Sequence, residues 1–167
     1  MRLQKRPQKL AVGDVFILVC PYSKEDGKPG IKYARYEVRS IRRKRGSVTR
    51  SGSTAAPQFV NLCMVESYTK DTKTGRWKNN IPDWCLMQFP LTDEFLPFGL
   101  ATTKERALRL ALYEQKDELK ELKSLIKERP QGERLQVLND EKAECEIHLL
   151  HMQSQLKRLV TRRKNDA

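Results

Sequence analysis

The sequence contains only two histidines and none of the common catalytic motifs. His148 and His151 are both in the last third of the chain, so the commonest general base is missing elsewhere. The patterns G-x-x-x-x-G-K-[ST], G-x-G-x-x-G and H-E-x-x-H and a nucleophile elbow are also absent. These absences argue against the usual nucleotide-binding and hydrolase sites, and we expect a protein without enzymatic activity or a bound cofactor.

Long apolar runs are absent as well. No stretch reaches the roughly 18 to 20 consecutive apolar residues of a membrane-spanning helix. The first ten residues, MRLQKRPQKL, lack the apolar core of a signal peptide. We therefore expect a cytoplasmic protein that has no membrane partner.

Cysteine is scarce and has no paired spacing. Cys20, Cys63 and Cys85 lie in apolar, strand-like runs, where a free thiol behaves as a small hydrophobic side chain. Cys145 precedes the two histidines at a spacing that brings potential metal donors together on a helix. A closed zinc site needs a fourth ligand, so the reading of Cys145 as a helix-packing residue is favoured, and we expect no metal.

Acidic residues are few in the first third of the chain, where positive charge is concentrated. Residues 1–50 contain 14 Lys and Arg but only 4 Asp and Glu, whereas residues 51–100 contain 4 and 5 and residues 101–167 contain 15 and 12. The formal net charge of +12 therefore originates mainly from one region. This distribution favours an anionic partner, with nucleic acid first and an anionic membrane second.

Residues 11–98 show the patterns of β structure. In IKYARYEVRSI, the residues Ala34, Tyr36 and Val38 alternate with Arg35 and Arg39, as expected for a half-buried strand. Turn-forming segments separate five strand candidates, VFILVC, IKYARYEVRSI, FVNLCMVESY, RWKNN and WCLMQF. This count predicts a small, strongly curved antiparallel barrel.

After residue 99 the spacing of the apolar residues changes from the alternation of a strand to the intervals of three and four residues that are typical of a helix. Thr102 and Glu105 match the S/T-x-x-E capping box, which predicts a helix that runs to about Arg129 and ends before Pro130. A second helix follows. The predicted packing seam, in which Gln115 fills one position, consists of Leu108, Leu112, Leu119, Leu122, Ile126, Leu138, Leu149, Met152, Leu156 and Leu159. Residues 101–165 are thus predicted to form a long antiparallel helical hairpin, similar to a coiled coil.

Several apolar residues lie beside this seam. They are Ala107, Ala111, Val137, Ile147 and Val160. They favour either docking against the barrel or self-association of two hairpins as a homodimer. The alternative is a monomer in which the base of the hairpin packs on the aromatic cluster Trp84, Phe89, Phe95 and Phe98.

The strongest indication of function is a set of cationic side chains on and after the second strand. These are Lys32, Arg35, Arg39, Arg42, Arg43, Lys44, Arg45 and Arg50, and we add Arg76, Trp77 and Lys78 from a later turn. A twisted β-ribbon supports such side chains for phosphate contacts, whose affinity falls steeply with salt. The alternatives for the charge run are a solvated loop and a localisation signal.

Two further groups extend this surface. Arg2, Lys5, Arg6 and Lys9 form a secondary set that serves either as a basic arm along a groove or as an untethered tail. A group of aromatic residues serves as stacking platforms for unpaired bases, as a cage for a methylated cation or as ordinary barrel packing: Tyr33, Tyr36, Tyr68 and Trp77.

The segment Val12-Gly13-Asp14-Val15-Phe16-Ile17, followed by a loop that ends Asp26-Gly27-Lys28-Pro29-Gly30-Ile31, resembles the start of SH3-like barrels of the KOW and Tudor type. These barrels commonly bind nucleic acid or proteins associated with it. The loop is longer than a compact KOW turn, and residues 42–57 resemble an insertion. The barrel, the basic first third and the helical end together are similar to MotB-type early DNA-binding proteins of large lytic phages.

The combined prediction is an α+β protein with three regions: a basic arm at 1–10, an SH3-like barrel at 11–98 and a helical hairpin at 101–165. We expect it to bind duplex DNA in preference to RNA, largely without sequence specificity. It would organise DNA or modulate transcription in the nucleoid, in the host cytoplasm if phage-encoded. Expected partners are a second copy of the chain and host transcription or nucleoid proteins. The alternative is a module that binds RNA, the ribosome or RNA polymerase through its helices.

Overall fold

The computed structural model of the chain describes residues 3–43, 58–97, 99–128 and 130–165. The described residues form a four-stranded antiparallel sheet, curled into a half-barrel, and two long helices. The strands are β1 (Val15–Ser23), β2 (Pro29–Arg43), β3 (Gln58–Met64) and β4 (Leu86–Pro90), and the helices are α1 (Lys104–Lys127) and α2 (Glu133–Asn165). The strands neighbour one another in chain order, and the predicted α+β class is confirmed.

The alternation predicted along β2 is confirmed by the burial of its side chains. Ala34, Tyr36 and Val38 are 2%, 5% and 0% exposed, whereas Arg35 and Arg39 are exposed. Successive side chains of a strand point to opposite faces, so one face of β2 is apolar and the other is polar.

Cross-strand pairs extend the apolar face over the sheet. Val38 lies opposite Leu62 on β3, and Val60 lies opposite Phe89 on β4. All four are at most 4% exposed. Burial of these aliphatic and aromatic side chains stabilises the sheet.

A β-bulge interrupts the pairing of β2 with β3. Val38 pairs with Leu62 and Ser40 pairs with the next residue, Asn61, so that Arg39 is the extra residue. An extra residue shifts the alternation of the strand by one position. As a result, Arg39 and Arg42, which regular alternation would place on opposite faces, lie on the same side of the sheet.

The outer edge of β1 is covered where Ile17 and Ala101 exchange two backbone hydrogen bonds of 2.7 and 2.9 Å. Close packing beside this bridge requires a glycine. Gly99 has a φ of 75°, and a Cβ atom there would lie 2.6 Å from the Leu18 Cδ1 atom. A larger residue at 99 would therefore be disfavoured by both backbone conformation and space.

The chain divides into two compact units, and β1 and β2 contribute residues to both. The sheet unit comprises Leu3–Leu18 and Ala34–Thr102, and the helical unit comprises Val19–Tyr33 and the residues from Thr103 onward.

In the helical unit, α1 begins one residue later than the capping-box prediction implies. The N-cap is Thr103, whose hydroxyl accepts a 3.1 Å hydrogen bond from the Arg106 backbone N–H. The predicted cap, Thr102, instead accepts a hydrogen bond from the Gln4 side chain. Glu105 pairs with Arg109 and Arg163, and the latter contact brings the start of α1 to the end of α2.

The two helices pack along the predicted seam. Leu108, Leu112, Leu122, Leu138, Leu149 and Met152 are buried, and the remaining members, Leu119, Ile126, Leu156 and Leu159, are partly exposed. The predicted polar position is also buried, because Gln115 donates from Nε2 to the Cys145 Sγ atom at 3.2 Å. Of the residues beside the seam, Ala107 and Ala111 are buried, while Val137 and Ile147 are 48% and 47% exposed.

Three strand predictions differ from the structure. FVNLCMVESY forms a strand only as far as Met64, where β3 ends. RWKNN contributes only a single bridge, between Trp77 and Lys70, across the turn that the Asp71 side chain stabilises at residues 71–75. In WCLMQF, the residues Asp83–Cys85 form a 3-10 turn, so the strand begins at Leu86.

In the part of the chain that the structure describes, neither helix combines the length and apolar character needed to cross a membrane.

Candidate nucleic-acid interface

The cationic side chains predicted on β2 are exposed. Lys32 belongs to the helical unit, and Arg35, Arg39, Arg42 and Arg43 follow in the sheet unit. The predicted residues Lys44, Arg45 and Arg50 lie outside the described residues. The described part of the basic set thus occupies accessible positions along one strand.

Arg39 and Arg42 line a shallow groove of about 410 Å³ on the polar side of the sheet. The groove crosses three strands, since β3 contributes Asn61 and β4 contributes Leu86, Met87 and Gln88. Among the described residues that line it, none is acidic and none is aromatic. The groove is therefore a positively charged surface with neutral hydrogen-bonding groups between its two arginines.

These neutral groups form a continuous hydrogen-bonded row. The Gln88 Nε2 atom donates to the Asn61 Oδ1 atom at 2.8 Å, and the Asn61 Nδ2 atom donates to the Ser40 Oγ atom at 3.1 Å. Each amide is held in one orientation by its neighbour, so the groove presents fixed polar atoms across the sheet. Protein–DNA interfaces commonly use such side chains for phosphate and sugar contacts.

The segment after β3 is shaped by a buried threonine. Thr69 is 0% exposed, and its hydroxyl donates to the Met64 carbonyl at 2.6 Å and accepts from the Glu66 backbone N–H at 2.9 Å. The Lys78 N–H then bonds to the Thr69 carbonyl at 2.9 Å. Thr69 thereby fixes both ends of the loop that contains Lys70 and Trp77.

The turn of this loop is organised by Asp71. Its Oδ1 atom accepts from the Lys73 and Thr74 backbone N–H groups at 2.9 and 2.7 Å. The hydrogen bonds from Thr74, followed by that from Lys73, hold the pKa of Asp71 below its ordinary value. Arg76 and Lys78 are exposed on either side of Trp77, which is partly buried.

Trp77 lies between two cations on the polar side of the sheet. The Lys70 Nζ atom is 4.8 Å and the Arg39 guanidinium carbon is 5.9 Å from the ring centroid. The same Lys70 ammonium forms bonds of 2.7 and 2.6 Å to both oxygens of Glu37. Since the Lys70 and Glu37 side chains are only 21% and 15% exposed, the negative charge of Glu37 is neutralised beside Arg39.

Cys63 lies opposite Glu37 in the sheet and is 0% exposed. Burial raises the pKa of its thiol from 9.0 to about 11. Cys63 is therefore protonated at neutral pH and is not a reactive thiol.

This shift predicts a loss of stability at high pH. The folded-state pKa of Cys63 is raised, so the contribution of the thiol is complete below pH 9 and is lost as the pH rises towards 11. Urea unfolding under reducing conditions at pH 8 and pH 10.5 should show a smaller decrease in the free energy of unfolding for Cys63→Ala than for the wild type. Equal decreases in the two proteins would contradict the prediction.

The N-terminal basic segment is attached to the sheet unit. The Arg6 N–H donates to the Glu94 carbonyl at 2.9 Å, and Lys5 pairs with Glu94 at 3.1 Å. The Arg6 guanidinium donates to the carbonyls of Asp93 and Pro7. Lys9 is exposed, and Arg2 lies outside the described residues. Of this secondary set, Lys5 and Lys9 are therefore both exposed, although Lys5 is paired with Glu94.

The other candidate aromatic residues are dispersed. Tyr36 is core, at 5% exposure, and the Tyr33 ring in the helical unit lies 5.3 Å from the Lys104 Nζ atom. Tyr68 and Trp84 contact each other at 5.7 Å between ring centroids and are 41% and 66% exposed. In the predicted aromatic cluster, Trp84 is 66% and Phe95 is 37% exposed, Phe89 is buried, and Phe98 lies outside the described residues.

Cys145 and His148 are buried, and His151 is partly exposed. The Cys145 thiol donates to the Gln115 carbonyl at 3.3 Å, and the His148 Nε2 atom lies 3.3 Å from the Ser23 hydroxyl. Within the described ranges, no group of three or more His, Cys, Asp or Glu side chains is placed to hold a metal ion.

Sequence reasoning did not identify Ser40, Asn61, Gln88 or Lys70 as site residues. One signal was available, because Asn61 and Gln88 are single polar residues within the apolar runs FVNLCM and CLMQF. An isolated amide in such a run indicates a polar sheet face. The role of Lys70 depends on its contact with Glu37, which is 33 residues away in the chain.

Comparisons of the chain with protein-family models, curated proteins and solved structures gave no match. The resemblances to KOW and Tudor barrels and to MotB-type proteins therefore stay predictions.

Proposed function

We propose that this protein is a non-enzymatic DNA-binding protein that contacts the phosphate backbone of duplex DNA largely without sequence specificity. The observation that carries the proposal is the groove in which Arg39 and Arg42 lie on either side of the Ser40–Asn61–Gln88 row. The planar guanidinium group of arginine matches phosphate oxygens in a bidentate arrangement. Neutral hydroxyl and amide groups between two such anchors suit the adjoining phosphate and sugar positions.

The charge around the groove supports an anionic ligand. Glu37 is the acidic residue beside Arg39, and its pairing with Lys70 removes the repulsion that a phosphate would otherwise meet. Arg35 and Arg43 add exposed positive charge on the same strand. Contacts of this type are to the backbone, so they stabilise a complex while carrying little base information.

The preference for duplex DNA follows from the lining of the groove. Proteins that bind single strands commonly stack bases on aromatic side chains. Lys70 and Arg39 already occupy positions over the Trp77 ring, and Phe59, which lies opposite Arg42 in the sheet, is not among the residues that line the groove. The groove is therefore better suited to a backbone than to unstacked bases.

The finer features of the fold form part of the same proposal. A sheet of SH3-like KOW or Tudor type is supported by the half-barrel curl and by the Ile17–Ala101 bridge. A coiled-coil-like hairpin is supported by the buried seam from Leu108 to Met152. The likeness of this arrangement to MotB-type proteins extends the proposal to DNA organisation or transcription control in a phage-infected or bacterial nucleoid.

The alternative, a module that binds RNA, the ribosome or RNA polymerase through its helices, is favoured by one observation. Ile147 and Leu150 on α2 are 47% and 68% exposed, and exposed apolar side chains are frequent in protein interfaces. The same residues are the described positions that a homodimer would cover.

A salt series tests the DNA proposal. We expect the full chain to bind two unrelated 20-base-pair duplexes with affinities within about threefold, because backbone contacts do not distinguish sequences. About four phosphate contacts from the sheet unit alone predict that the logarithm of the association constant falls with the logarithm of salt concentration with a slope of about −3 to −4, and further contacts elsewhere on the chain make the slope steeper. Fluorescence anisotropy between 50 and 300 mM salt measures both quantities.

The controls are a single strand of the same sequence and an RNA duplex. We expect both to bind more weakly than duplex DNA. Undetectable or salt-insensitive binding to duplex DNA would refute the proposal, and a clear preference for RNA would support the alternative.

A further inference from the structure

α1 carries a row of lysines outside the sheet unit. Lys116, Lys120, Lys123 and Lys127 follow one another at intervals of four, three and four residues, which places them on one face of a helix with 3.6 residues per turn. All four are exposed, and together with Leu119 and Ser124 they line one groove of about 400 Å³. We name these four side chains the lysine row.

The charges of α1 are separated around its axis. At 100° per residue, Glu114, Glu118 and Glu121 lie about 140° to 160° from Lys116, on a different face of the helix, and Asp117 lies between the two faces, about 60° from Lys120. A helix that is merely solvated commonly intersperses opposite charges at four-residue spacing, which is stabilising. In the lysine row the i,i+4 neighbours are instead like-charged pairs, which destabilise an isolated helix.

The neighbouring helix, α2, neutralises little of the positive charge of the lysine row. In the part of the chain that the structure describes, the ion pair recorded for the row joins Lys123 to Glu146 at 3.4 Å, and the two side chains are 49% and 45% exposed. Exposed pairs of this kind contribute little and exchange readily with solvent or another anion. The row therefore presents a linear array of positive charge that the fold does not require.

We infer that the lysine row is a second phosphate-contact surface for duplex DNA, on the helical unit; this inference rests on the proposed function. The first and last lysines are 11 residues apart, so at 1.5 Å per residue the row extends about 16 Å. A duplex presents about one charge per 1.7 Å of its axis, or roughly nine or ten over that length. Lysine acts as a point charge on a flexible stem, which suits backbone contacts without sequence selection.

Other occupants fit the row less well. Protein interfaces are depleted in lysine and are centred on apolar or aromatic anchors, whereas the groove contains one apolar residue, Leu119, which is partly exposed. A membrane-binding helix needs an exposed apolar face beside its cations. The apolar positions Leu108, Leu112 and Leu122 of α1 are buried.

The test uses the full chain with all four lysines replaced by glutamine. Glutamine and lysine have similar helix propensities, so the helix should be retained. The matched control removes the same charge at other exposed sites through Lys24→Gln, Lys28→Gln, Arg134→Gln and Lys157→Gln. A third variant replaces the row lysines by arginine. Each protein is titrated with random-sequence duplex DNA over a salt series and, separately, with a poly-glutamate peptide.

We expect the glutamine variant to lose about tenfold or more in duplex affinity at 100 mM salt, and its salt slope to be smaller by about 2 to 4. The arginine variant should retain wild-type affinity, and the control should remain within about threefold. Equal losses in the glutamine variant and the control would overturn the inference, as would a loss restricted to poly-glutamate.

The outcomes separate this inference from the proposed function. If the wild type does not bind duplex DNA at any salt concentration, both fail. If the wild type binds duplex DNA and the glutamine variant binds it with the same affinity, the lysine-row inference fails while DNA binding through the sheet stands.

Discussion

Replacement of both Arg39 and Arg42 by glutamate should lower the affinity for random-sequence duplex DNA by about 100-fold at 100 mM salt. Each replacement removes a charge-assisted phosphate contact and adds a carboxylate that repels the backbone, and a tenfold loss per site corresponds to about 1.4 kcal/mol. Both side chains are exposed, so the free energy of unfolding should change little. Anisotropy titration and urea unfolding of the same preparations measure the two quantities.

The matched control for this double variant is Lys24→Glu with Arg134→Glu, which changes the net charge equally at two other exposed sites. We expect the control to lose less than about threefold, mainly through the weaker overall field of the protein. An Arg39→Lys variant adds a finer comparison, because it keeps the charge but loses the bidentate fork and the planar group near Trp77. If the control loses as much affinity as the double variant, net charge accounts for binding and the groove is not the site.

The polar face of β2 could be predicted from sequence because its cause is local. A strand alternates its side chains with a period of two, so the buried Ala34, Tyr36 and Val38 follow from the pattern IKYARYEV. The bulge at Arg39 could not be predicted in this way. It depends on the register between β2 and β3, and this register brings Arg42 to the same side as Arg39.

The loop beside the groove shows a second limit of local patterns. RWKNN is predicted as a return strand because it follows a turn-forming segment, but in the structure it contributes only the Trp77–Lys70 bridge after the turn that Asp71 stabilises. The helical seam was more predictable, since its apolar spacing repeats over many residues and even the polar Gln115 occupies its expected place. The helix start was misplaced by one residue because Thr102 and Thr103 are both suitable caps and Gln4, distant in sequence, bonds to Thr102.

The Glu37–Lys70 pair should connect the stability of the sheet unit with its DNA affinity. Lys70→Met keeps an unbranched side chain but leaves the Glu37 carboxylate, whose side chain is 15% exposed, without its ammonium partner. Removal of one member of a buried pair leaves the other charge buried without a partner. Because this pair retains some solvent contact, we expect a loss of about 2 to 3 kcal/mol in the free energy of unfolding. The unpaired negative charge of Glu37 beside Arg39 should also weaken duplex binding by several-fold.

The matched partner is Glu37→Gln, alone and combined with Lys70→Met. Glutamine keeps the shape of glutamate without its charge, so the double variant should recover most of the stability and of the affinity lost by Lys70→Met alone. Urea unfolding and anisotropy across the four proteins give one double-mutant cycle for each property. Additive losses in stability would show that the pair is not coupled. Recovery of stability without recovery of affinity would show that Glu37 stabilises the sheet unit but does not influence the charge met by a phosphate at Arg39.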